Sequence, residues 1–145
     1  MKKQVLLIML AVLFATACSD NNSSNSETKT VSDALALVSP TDSSEVVLTA
    51  ADNLVMKWHP ATDLSGTLIY TVVLDKDRDF SESNGSVLRA DVLNDTSLVV
   101  PYSAVSSLPA FQSTTVDTLY YAVYAKSSSA TLRSKNVFRF TLKLQ

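Results

Sequence analysis

His59 is the only histidine among the 145 residues, so histidine-based acid–base or nucleophilic chemistry would have to be assembled around it. It follows a run in which Leu54, Met56 and Trp58 share one face at period two, which sends its imidazole to the opposite side. The expectation is a surface or loop histidine without catalytic duty. A glycosidase needs two carboxyl groups ~5–9.5 Å apart, and no spacing here singles out such a pair. The chain therefore reads as a non-enzyme with no catalytic residue. Asp75-x-Asp77-x-Asp79 clusters the oxygens that a hard cation wants. A calcium loop of the EF-hand kind also needs Gly at its sixth position and Glu at its twelfth, where Phe80 and Ser86 stand. Lys76 and Arg78 further offset the local charge. A solvated strand-end turn with Phe80 tucked into the core is expected, with no metal and no cofactor.

Tyr120 and Tyr124 offer chemistry of another kind. If Tyr121 and Val123 point inward, this pair shares the outward face of one strand. Aromatic faces stack on sugar rings, so the two are candidate carbohydrate-binding residues. The alternative is that one hydroxyl is bonded at a strand corner while the other ring covers the sheet. Trp58 could serve as a platform too, but its period-two partners assign it to the core.

Cys18 is the single cysteine, which excludes an intrachain disulfide and a multi-cysteine metal site. Before it come Met1-Lys2-Lys3, an apolar run over residues 5–14, and the small residues Ala15-Thr16-Ala17. That run falls short of the roughly 20 residues a spanning helix needs, so residues 1–17 read as a cleaved leader. The arrangement resembles the bacterial lipobox, whose cysteine is acylated and becomes the new N-terminus, with Ala15 where leucine is typical. Lipidation at Cys18 is thus expected, and the partner it implies is a membrane. Residues 19–30 hold no apolar side chain, so residues 18–32 read as lipidated Cys plus disordered tether. Twelve such residues reach on the order of 20 Å. Loss of Lys2 and Lys3 with the leader takes the formal charge from −2 to −4, ten basic against fourteen acidic side chains. An acidic mature chain has no electrostatic footprint for nucleic acid.

The tyrosine pair needs a frame, and residues 33–145 supply one. Short β-prone runs alternate with turn chemistry at spacings of roughly 8–12 residues. They fall at residues 35–38, 46–48, 53–58, 68–74, 87–88, 98–100, 119–125 and 136–144. Pro60 and Pro101 close two of them, and Asn84-Gly85 is a turn pair. Residues 102–108 allow a brief helical turn, with Ser103 capping and Val105 and Leu108 inward. The expected fold is an all-β, immunoglobulin/fibronectin-III-like antiparallel β-sandwich of about seven strands.

Several segments then fall into a familiar order: Leu37-x-Ser39-Pro40-x-Asp42, Val46-Val47-Leu48, Leu54-x-Met56-x-Trp58, Tyr70-x-Val72-x-Leu74-Asp75 and Asp79-Phe80-Ser81. The hydrophobic turn at Val105 and Leu108 and Leu119-Tyr120-Tyr121-x-Val123-x-Ala125 complete it. Over residues 34–144 this resembles the N-terminal immunoglobulin-like domain of SusE/SusF-type outer-membrane lipoproteins of starch- and glycan-utilisation systems. Tyr121 stands where that family usually has Trp. The resemblance implies lipid anchoring at the outer membrane, with starch or another glycan and outer-membrane glycan importer proteins as partners. In the family the starch-binding sites lie on further sandwich domains, so none of those residues carries over to this one. An acidic run after the cysteine is the family's surface-export signal, represented here by Asp20, and both surface and periplasmic orientations stay open. Two roles follow: an accessory component of a glycan binding and uptake system, or a structural or protein-interaction module of the cell envelope without intrinsic sugar binding.

Overall fold

The computed structural model describes residues 35–80 and 87–145. The expected leader, Cys18, the expected tether and the Asn84-Gly85 turn pair lie outside them. Period-two alternation writes the inner face of each main strand. In β3 (Asn53–Trp58), Leu54, Met56 and Trp58 are buried while Asn53 and Lys57 are exposed. In β4 (Ile69–Asp75), Tyr70, Val72 and Leu74 turn inward. In β7 (Val116–Lys126) the inner row is Leu119, Tyr121, Val123 and Ala125, and in β9 (Phe138–Leu144) it is Phe140, Leu142 and Leu144.

These rows meet between two sheets. The smaller runs β1 (Leu37–Ser39), β3, β6 (Ser97–Pro101); the larger runs β2 (Ser44–Leu48), β9, β7, β4, β5 (Leu88–Leu93), with β8 (Thr131–Arg133) added beside β7. The result is the expected all-β, immunoglobulin-like sandwich. Aromatic rings lock its middle. Tyr121 meets Phe138 and Phe140 edge-on, each at 5.9 Å between centroids, and Trp58 lies 5.6 Å from Tyr70.

The chain departs from the expectation in several places. Among the described residues there are nine strands rather than about seven. One pairing is parallel: β2 runs alongside β9, with Ser44 opposite Phe140 and Leu48 opposite Leu144. The chain changes sheet between β1 and β2. Polar bonds fasten the crossing, since the Arg139 N–H donates to Asp42 Oδ1 at 2.8 Å and the Ser43 N–H donates to the Arg139 carbonyl. The first strand begins later than residue 35, because Leu35 is buried with φ 75°, outside the extended region. The helical turn is α1 (Tyr102–Ser106), but Ser103 does not cap it. Pro101 occupies the N-cap with no side-chain hydrogen bond, and a short 3-10 turn (Pro109–Phe111) follows. Val105 is buried as expected and Leu108 half-buried.

From inside, the Tyr121 hydroxyl donates to the Pro40 carbonyl at 3.0 Å, tying β7 to the sheet crossing. Burial first, and the Asp42 charge second, push this phenol well above the usual tyrosine range. The unfolded chain releases the proton near pH ~10 while the folded chain keeps it. The associated stability is therefore complete below that pH and is lost as pH rises above it. Tyr121→Phe should cost about 1 kcal/mol at neutral pH through the lost hydrogen bond. Urea unfolding at pH 7 and above pH 10 checks both parts: the wild type should lose stability faster than the variant on the alkaline side.

Candidate functional site: the outer face of the larger sheet

The alternation that buries Tyr121 and Val123 places Tyr120 and Tyr124 outward on β7. Both are half-buried. Four residues of extended chain separate them by roughly 13 Å. Each is flanked across the sheet by an arginine. Tyr120 stands opposite Arg139 of β9 and, on its other side, Asp75 of β4. Tyr124 stands opposite Arg133 of β8 and Thr71 of β4. Between the two tyrosines, Ala122 and its cross-strand neighbour Val73 also face outward, yet are 0% and 2% exposed. They belong to no part of the main core and give this face an apolar floor of its own.

Tyr124 is not a bare platform. The Arg133 guanidinium lies 5.7 Å from its ring centroid and 5.4 Å from that of Phe80. Two aromatic faces thus hold one cation in place, at about 0.5–1 kcal/mol per exposed contact. Phe80 reaches it from the loop after β4, at φ 54°. It is half-buried against Arg133 instead of tucked into the core, because the loop folds onto the outer face. The turn at its base is likewise less solvated than expected. Asp75 is 1% exposed; its Oδ1 accepts the Asp77 N–H at 3.0 Å, while Oδ2 is buried without a partner among the described residues. Lys76 pairs with Asp117.

The remaining candidates disperse. His59 is exposed, its backbone N–H bonded to the Ala36 carbonyl, and Trp58 is in the core. Among the described residues no three His, Cys, Asp or Glu side chains are grouped to hold a metal ion. Asp91 accepts the Thr71 hydroxyl at 2.6 Å on the same outer face. What the arrangement can do is bind: two tyrosines, each opposite an arginine in the strand register, stand on one sheet, and the guanidinium N–H groups can donate to carboxylates and hydroxyls. Neither arginine carries a sequence motif: Arg139 alternates with Phe138 and Phe140 at an outward strand position, and Arg133 comes into place through β8, a strand of three residues.

No protein-family model matches the chain, and no curated protein matches it.

Proposed function

We propose that this chain is a non-catalytic, lipid-anchored outer-membrane protein, a SusE-like accessory component of a glycan binding and uptake system. Tyr120 and Tyr124 are its contact residues for sugar. The observation that carries the reading is their placement on one exposed sheet face, each flanked by an arginine, in a sandwich whose sequence starts with a lipobox-like leader. Stacking supplies affinity for a ring face, and donors along the same strand pairs fix its hydroxyls. Anchored through Cys18, such a domain holds glycan beside an importer; catalysis is left to other proteins.

A second reading has an observation of its own. β5 ends the larger sheet, and at its far end Leu93 is 64% and its neighbour Ile69 41% exposed. An open edge beside apolar side chains suits docking on another envelope protein. Affinity electrophoresis of the detergent-solubilised full-length protein separates the two. Retardation in gels containing starch or other plant or host glycans, reduced by Tyr120→Ala, is the expected result. Free migration through every glycan, together with co-purification of an envelope protein, would replace the first reading with the second.

A further inference from the structure

The outer face of the larger sheet is basic in a chain that is acidic overall. Without its leader the protein carries −4, yet Arg89, Lys126, Arg133, Arg139 and Lys143 all occupy outward positions of β5, β7, β8 and β9. The acids at outward positions of that sheet are fewer. Asp75 is buried, the exposed Asp91 carboxylate accepts the Thr71 hydroxyl, and Glu45 sits on the edge strand β2, so five cations stand against three carboxylates. The Lys76–Asp117 ion pair involves neither Arg133 nor Arg139.

From this we infer that the face selects acidic polysaccharide, uronate-bearing chains in which carboxylates alternate with sugar rings, over neutral glucans. The inference rests on the glycan-binding reading above and specifies its ligand. The Phe80–Arg133–Tyr124 cluster is the central element. A guanidinium already lying over two rings is partly immobilised and loses less freedom when a carboxylate arrives. Its planar fork matches a carboxylate in two parallel hydrogen bonds. Arg139, opposite Tyr120 in the strand register, places a second guanidinium-bearing position beside a tyrosine roughly 13 Å further along the strand. A polymer can therefore engage both pairs, and the second contact gains from being tethered to the first. An anionic membrane surface would meet the same charges, but it has no use for a ring beside each guanidinium.

The test uses the full-length protein in detergent, run through gels containing polygalacturonate, its fully methyl-esterified form, or starch. Retardation by polygalacturonate alone is expected, falling as salt is raised. Arg133→Gln and Arg139→Gln should each weaken it by about tenfold, the scale of one lost charge-assisted contact. Arg133→Lys, which keeps the charge but not the fork, should restore only part. Because Arg133 and Arg139 are both exposed, all three variants should stay folded: Arg139→Gln should unfold at the wild-type temperature, and the two Arg133 variants should fall only by what their lost ring contacts supply. Equal retardation by the esterified polymer or starch, unaffected by either glutamine, would overturn the inference and leave glycan binding standing. No retardation by any of the polymers would remove both. Binding to phosphatidylglycerol vesicles without binding to polygalacturonate would reassign the face to the membrane.

Discussion

Phe140→Ala should destabilise the protein by about 3–5 kcal/mol, the range for truncating a buried aromatic side chain. Phe140 is 1% exposed, packs edge-on against Tyr121, and stands between Ser44 of β2 and Leu119 of β7. Its loss opens a cavity where the parallel strand joins the sheet, and the rings around it cannot close the gap without leaving their rotamers. Against a typical total of about 5–15 kcal/mol, such a change brings the domain near the edge of folding. Val99→Ala on the outer face of the smaller sheet, where the side chain is 55% exposed, should stay within about 0.5 kcal/mol. Urea midpoints of the two variants give the comparison directly. Similar midpoints would mean that the inner rows are not the core.

Cys18→Ala should abolish incorporation of labelled palmitate and remove the protein from the outer-membrane fraction. Each buried CH₂ contributes ~0.8 kcal/mol; one acyl chain alone holds only reversibly, and two or more make release negligible. Palmitate label persisting in the variant would show that the anchor is elsewhere. A wild type without label would show that the leader is cleaved by another route.

The inner rows of the sandwich were legible because burial on one side imposes period two, and Leu54, Met56 and Trp58 or Phe140 and Leu142 obey it without interruption. β5 was harder to see. Only Leu88 marked it, since Arg89, Asp91 and an exposed Leu93 occupy the outward positions of an edge strand. β8 has a single apolar residue, Leu132, and exists because it extends the pairing of β7 beyond the end of β9. Parallel pairing leaves no local trace at all; it depends on where the chain changes sheet.

The candidate site was half legible for the same reason. Outward placement of Tyr120 and Tyr124 follows from alternation within one strand. Their partners do not, because Arg133 and Phe80 arrive from a separate strand and a loop. Hydrophobicity alone puts Phe80 in the core, yet a cation on the outer face offers a phenyl ring a contact that the crowded interior does not. Asp75 departs in the opposite sense: its strand position puts it outward, yet it is 1% exposed, with the Asp77 N–H bonded to its carboxylate.

Titration of an isotopically labelled Cys18→Ala protein with polygalacturonate fragments, followed by amide and side-chain NMR, tests the binding face most directly. The expected shifts cluster at Tyr120, Tyr124, Arg133 and Arg139, with the smaller sheet unmoved. Shifts confined to β1, β3 and β6, or a spectrum unchanged by this and every neutral glycan, would contradict it.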